Sequence, residues 1–310
     1  MLQLKTVLCP VDFSETTSRA LPLAARVCQR TGARLVLLHD VSGTPPSFLG
    51  MGWMYQADEH RRDDEMAAVA TKHLDALLAT LPAGLSVEKR VTLGPRTATI
   101  LHIARELPAD LIVMATHVST DPDRLSTTEQ VIEEAPCPVL AVRADSPRPT
   151  AVEERLFAEG ETAKALVPLD FSNHAGRGLA SAFSLARQVP MAVHLLHVEP
   201  DRSWEDVKHA FKEGVAEHRR QRVAEAEAKL KASIPADLAE RVTWEVRLGA
   251  AGKEVLADAQ ERGIDLVVMG VHEKDPVGKI LFGATSATIL HDASCPIWFV
   301  SERAPVAAAS

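Results

Sequence analysis

"VLCPVDFSETTSRAL" (7–21) and "ALVPLDFSNHAGRGL" (165–179) are two versions of one segment. Each is a short apolar run followed by P-x-D-F-S and then a helical pattern. Three more pairs follow in the same order: "LVLLHDV" (35–41) with "VHLLHVE" (193–199), "ADLIVMATH" (109–117) with "IDLVVMGVH" (264–272), and "EAPCPVLAV" (134–142) with "DASCPIWFV" (292–300). Asp12 and Asp170 stand 158 residues apart, as do His39 and His197, and Cys137 and Cys295. Between Gly94 and Gly249, and between Met114 and Met269, the offset is 155. The chain is therefore one domain written twice. Repeat 2 is three residues shorter between its second and third strands, and three longer after its fourth.

Within each copy, short apolar runs alternate with helical patterns. In repeat 1 the strands are expected at 6–11, 34–39, 86–92, 111–115 and 139–142. Helices are expected up to about Arg30 with Gly32 as C-cap, over 58–81, over 95–107 with proline first, and over 127–134. Repeat 2 follows the same order, with its long helix near 204–232. Continuous apolar strands alternating with helices imply parallel sheets covered on both faces. The domains are read as 1–146 and 163–303, joined by a linker at 147–162 and followed by a flexible tail at 304–310. The linker lies in the proline- and charge-rich stretch 144–162.

The bulk numbers exclude several function classes. The 310 residues carry a net charge of −8, which argues against duplex nucleic acid, whose phosphates need a basic face. Aromatics make up only 4%, too few for a base-stacking surface. No apolar run approaches the ~20 residues of a membrane span, so no membrane association is expected. "MLQLKTVLCPVDF" reads directly as a strand, with no secretory cleavage site. The four cysteines form no CxxC and lie in apolar contexts, as reduced, buried thiols of a cytoplasmic protein would.

P-x-D-F-S after strand one, the "LLH" strand, the D-L-I/V-V-M strand and the cysteine-proline pair before the last strand resemble the universal stress protein family, here of the tandem, two-domain type. The resemblance covers both repeats. It implies two Rossmann-like α/β domains, each a five-stranded parallel sheet in order 3-2-1-4-5 with helices on both faces. Ligands of such a sheet bind at the switch point between strands one and four. The resemblance also implies a stress-response protein that binds ATP or another adenine nucleotide as a regulatory ligand, with Mg²⁺ as a companion ion. Two other readings stand beside it: a nucleotide-independent interaction scaffold, and a slow ATP hydrolase. No catalytic residues are assigned, because no nucleophile–base signature is present.

Nucleotide-binding members resemble G-x2-G-x9-G-[S/T] after strand four. On repeat 2 those positions are Gly270, Glu273, Gly283 and Ala284, with the hydroxyl one residue late at Thr285 or Ser286. Gly283 opens a helix expected at 284–291, whose free N–H groups attract anions. Lys274 and Lys279 add positive charge and His272 flanks the loop, whereas Glu273 opposes phosphate. The competing reading is that Gly283 and Thr285 only cap a helix. A Walker A loop through Gly278 and Lys279 is excluded, because Glu273 and Ile280 stand where glycine and a hydroxyl are needed. By analogy Asp170 faces adenine and Val198 lines its pocket. Alternatively Asp170 is a polar residue at a helix start, with Ser172 as cap.

Repeat 1 offers weaker equivalents in Asp12, Val41 and Ser126. Its shorter, acidic loop has lost all three glycines, so no phosphate is expected there. His194 and His197 are three apart on a strand and face opposite sides, so no metal centre is expected. The repeat-equivalent pairs His39/His197 and His117/His272 are read as polar groups at strand ends. "PPSFLGMGWMY" (45–55) is read as a loop, either a flap over repeat 1's cleft or a partner surface. The fifth strands, 138–142 and 296–300, are apolar edges that need cover. An antiparallel pairing of the two, an intramolecular pseudo-dimer with Trp298 in the junction, would supply it, and the resemblance also allows a homodimer.

Overall fold

Apolar runs that lack polar alternation can be buried on both faces only in a sheet sandwiched by helices. The computed structural model has that arrangement in both repeats. It describes residues 4–13, 17–41, 52–116, 126–143, 161–200, 215–271 and 283–305. The chain divides into two units on either side of 144/145, and each is described by itself.

Repeat 1 runs β1 (Thr6–Pro10), α1 (Thr17–Thr31), β2 (Arg34–Val41), α2 (Gly52–Leu78), β3 (Val87–Leu93), α3 (Arg96–Glu106), β4 (Leu111–Thr116), α4 (Thr127–Glu134) and β5 (Val139–Arg143). Its strands lie in the order β3-β2-β1-β4-β5, all parallel. Repeat 2 runs β6 (Ala163–Pro168), α5 (Asn173–Ala186), β7 (Met191–Glu199), α6 (Val215–Ala232), β8 (Val242–Leu248), α7 (Ala251–Arg262), β9 (Leu266–Gly270), α8 (Ala284–Asp292) and β10 (Ile297–Val300). Its order is β8-β7-β6-β9-β10, again all parallel. In both, the expected 3-2-1-4-5 order puts strands one and four side by side, in register Val7↔Leu111 and Ala165↔Leu266.

The central strands carry the core. Val7, Leu8, Cys9, Leu111, Ile112 and their counterparts Ala165, Leu166, Val167 and Val267 are fully buried. The aspartate of the fourth-strand motif pins the first strand's entry. Asp110 Oδ2 accepts from the Lys5 and Thr6 backbone N–H groups at 2.7 and 2.9 Å, and Asp265 Oδ2 accepts from Lys164 N–H at 2.9 Å. Gly32 follows α1 with φ of 72° and donates to the Cys28 carbonyl, the expected left-handed end.

Two boundaries differ from expectation. α2 begins at Gly52, so 45–55 is not all loop: nothing after Gly52 breaks a helix until Pro82. Residues 42–51 lie outside the described residues. Pro95 precedes α3 as its N-cap, in an extended conformation, rather than serving as its first helical residue. Residues 147–160 of the linker and residues 204–214 of the helix expected at 204–232 also lie outside the described residues.

Candidate functional site

In each repeat a histidine from the second strand organises the turn after the first. The His39 Nδ1–H donates to the Val11 carbonyl at 2.8 Å, and the His197 Nδ1–H to the Leu169 carbonyl at 2.6 Å. Phe13 and Phe171 then stack on these rings at 4.2 and 4.6 Å. Both phenylalanines have positive φ, 59° and 62°, an unfavourable conformation for a bulky residue that the stacking offsets. Burial pushes the His197 pKa down and holds the ring neutral. The result is that Asp12 and Asp170 are delivered at the carboxyl ends of β1 and β6.

In repeat 2 that end is open. A cavity of about 220 Å³ lies at the switch point between β6 and β9. Leu196 and Val198 of β7, with Ala251 and Val255 of α7 and Met269 of β9, give it apolar walls. Asp170 sits at its rim, and Gly270, Gly283, Ala284, Thr285 and Ser286 close the opposite side. Gly283 is the N-cap of α8 and makes no side-chain cap hydrogen bond. The first-turn N–H groups of α8 therefore stand at the cavity with the positive end of the helix dipole behind them.

Two of these residues also have structural tasks. A Cβ on Gly270 would lie 1.8 Å from the His174 carbonyl oxygen, and one on Gly178 would lie 2.6 Å from Gly270 N. The two glycines let α5 rest directly on β9, so Gly270 is required by packing with or without a ligand. Asp170 Oδ1 accepts from Ser172 N–H at 2.9 Å, and Ser172 Oγ accepts from Ala175 N–H as the N-cap of α5.

Repeat 1 sets charged side chains at the same place, on the wall of a cavity of about 520 Å³ that Asp40 and Arg96 help to line. Arg96, equivalent to Ala251, donates from Nε to Asp40 at 3.0 Å and comes within 3.9 Å of Asp12. Asp40 is 5% exposed and occupies the place of Val198. The guanidinium thus lies where repeat 2 has its apolar wall. At α4, Ser126 forms a capping box: its Oγ accepts from Glu129 N–H at 3.2 Å, and Glu129 Oε2 accepts from Ser126 N–H at 2.6 Å. That helix start carries its own carboxylate and satisfies its own donors. Val41 is not the counterpart of Val198. It aligns with Glu199, and one residue's shift along a strand turns the side chain to the other face.

The universal stress protein family model matches residues 3–143 and again 162–301. The chain belongs to the universal stress protein family. A universal stress protein of Thermus aquaticus is 33% identical over 149 residues, which span 45% of this chain and 98% of that protein. One from Synechocystis is 32% identical over 146 residues, covering 46% and 87%. Over the full length, the crystal structure of a universal stress protein from Archaeoglobus fulgidus superposes with a TM-score of 0.62 at 18% identity, covering 97% of both chains. That last likeness speaks for the tandem fold.

Seven of the ten residues singled out for repeat 2 border one cavity; His272, Lys274 and Lys279, like Glu273, lie outside the described residues. The pairs that differ between the repeats, Arg96/Ala251 and Asp40/Val198, carried no motif and were missed. The repeat alignment holds the signal: it sets a charge of each sign in repeat 1 against two small apolar residues in repeat 2.

Proposed function

We propose that repeat 2 binds ATP or another adenine nucleotide as a regulatory ligand, within a cytoplasmic stress response, and that repeat 1 binds none. The observation that carries this is the N-terminus of α8 at an apolar cleft, where among the described residues no side chain caps it, set against the capped and ion-paired equivalent in repeat 1. The cavity is smaller than the ~300–1,000 Å³ of typical ligand clefts, so it suits a base, with the phosphates lying outside along the start of α8. Asp170 at the rim supplies a carboxylate acceptor for an exocyclic amine. Mg²⁺, where it accompanies the nucleotide, would be held chiefly by the phosphates.

Hydrolysis is expected to be slow at most. His174 is tied to Glu302 at 2.9 Å and Asp170 to its own turn, so neither is placed as a base for an attacking water. Purified protein should release phosphate from ATP little faster than buffer does; turnover near the ~1–10³ s⁻¹ of ordinary enzymes would overturn this.

The scaffold reading has one observation in its favour: Met66 and Val69 of α2 are 45% and 53% exposed beside the repeat 1 cleft. Mass spectrometry of small molecules released on denaturing the purified protein separates the two. Adenine nucleotide supports the first reading, and protein that neither releases nor takes up nucleotide supports the second.

The pseudo-dimer belongs to the same proposal. Leu140 and Trp298, on the fifth strands of the two repeats, are both buried, and the Trp298 indole donates to Ser181 within its own repeat at 3.1 Å. Cysteines at Leu140 and Trp298 should cross-link within one chain; bonds formed only between chains would refute the pairing.

A further inference from the structure

Repeat 2 buries two polar atoms that face each other with nothing between them. His194 on β7 is 5% exposed and Asp258 on α7 is 0% exposed. His194 Nε2 lies 3.5 Å from Asp258 Oδ2, and neither atom has a hydrogen-bond partner among the described residues. The other Asp258 oxygen, Oδ1, accepts from Arg247 and from Arg262, both at 2.7 Å. Glu245 on β8 is the third member: one donor atom each from His194, Glu245 and Asp258 lie within 4.8 Å of one another.

The fold does not ask for these groups. The equivalent residues in repeat 1 are Val36 and Ile103, 0% and 4% exposed, and Arg90 in place of Glu245. The places of the imidazole and of the Asp258 carboxylate are filled there with hydrocarbon. Burying an imidazole and a carboxylate instead carries a desolvation cost. The two arginines answer for Oδ1 and for Glu245, but they leave Nε2 and Oδ2 facing each other.

The local charge favours a cation. Arg247 and Arg262 face four carboxylates, Glu245, Glu254, Asp258 and Glu261, so the cluster carries a surplus of two negative charges. The imidazole is also oriented for ligation. Thr243 Oγ1 lies 2.8 Å from Nδ1; in the tautomer in which it accepts the Nδ1–H, the Nε2 lone pair points toward Asp258. Two ligands at ~2.0–2.1 Å in tetrahedral geometry stand about 3.3–3.4 Å apart, close to the separation observed.

We propose that His194 Nε2, Asp258 Oδ2 and a Glu245 oxygen bind a divalent transition-metal cation, Zn²⁺ or a close relative. One imidazole and two carboxylates are a donor set that suits such ions. Glu245, at the partly exposed edge of the cluster, leaves a path from solvent. The site would join β7, β8 and α7, and repeat 1 has no counterpart.

The test uses the full chain, stripped with chelator and titrated with ZnCl₂ by calorimetry, beside His194→Val, which installs the residue repeat 1 carries at Val36. One equivalent should bind to the wild type, and binding should weaken roughly 100-fold or more in the variant, whose circular dichroism should stay native. Co²⁺ titrated into the unaltered protein gives a second reading that does not depend on the variant folding: visible absorption of a nitrogen–oxygen site without a thiolate charge-transfer band. No stoichiometric uptake, equal uptake by His194→Val, or a thiolate band would each overturn the assignment.

Discussion

Replacing Arg96 with alanine removes the cation beside a buried carboxylate. Asp40 has a side chain only 4% exposed, so Arg96→Ala should destabilise repeat 1 by about 1–3 kcal/mol, read as a lower urea midpoint. Adding Asp40→Val recreates the Val198/Ala251 pair and should recover more than half of that loss; a double variant as unstable as the single one would mean the ion pair is not what matters. His197 makes a second prediction at this scale. Burial lowers the pKa of His197 below 6.5, so the unfolded chain binds this proton more readily than the native one. Stability contributed by the neutral ring is present above about pH 6.5 and is lost as pH falls below it toward the folded pKa. The urea midpoint should drop between pH 7 and 5, and a flat profile there would contradict the account.

At the scale of elements, the two helices after strand four differ in how they begin, and the difference can be transplanted. Gly283 has extended backbone, and a Cβ there would meet nothing nearer than Ser286 Oγ at 4.0 Å, so serine fits. Gly283→Ser with Ser286→Glu writes the repeat 1 capping box into α8. It should raise helix stability by only a few tenths of a kcal/mol, because glycine is already a fair N-cap, while abolishing ATP binding, because a carboxylate then occupies the anion site. Unchanged calorimetric affinity would show that phosphate does not sit at α8. Gly270→Ala should act differently: its Cβ meets backbone at 1.8 Å, an overpacking cost of about 3 kcal/mol or more. Elements were readable from sequence because their apolar runs and glycine stops are local signals. Val139 to Val142 and Leu111 to Val113 could hardly be anything but buried strands. The long helix of repeat 1 starts at Gly52, ahead of the expected 58, because the aromatic stretch looks like a loop in composition although Gly52 onward has no helix breaker. The site was only partly legible. Gly283 and Asp170 carry motifs, but Arg96 reaches Asp40 across 56 residues, and His194 meets Asp258 across a strand and a helix, so no spacing announces either pair.

For the whole molecule, the consequence is asymmetry in a chain built by duplication. Both repeats kept the sheet order, the aspartate that pins the first strand and the histidine–phenylalanine turn, all of which the fold itself requires. They diverged where the fold is indifferent, at the carboxyl ends of the strands. Repeat 1 lines its cleft with an ion pair and starts α4 with a capping box, each made of its own side chains, so these groups satisfy one another without a ligand. In repeat 2 the described residues put the start of α8 and an apolar wall on a cavity. Titration of the full chain with ATP should therefore saturate at one nucleotide, not two. Hydrogen exchange should map the protection to the peptides around 165–175, 196–199, 250–256 and 283–290, with no change at their repeat 1 counterparts. At a ligand concentration of ~100 Kd the added stability amounts to about 2.7 kcal/mol, enough to slow exchange there by roughly a hundredfold where local opening releases the ligand. Two nucleotides per chain, or protection around 10–17 and 94–100, would place a working site in repeat 1 and reverse the assignment.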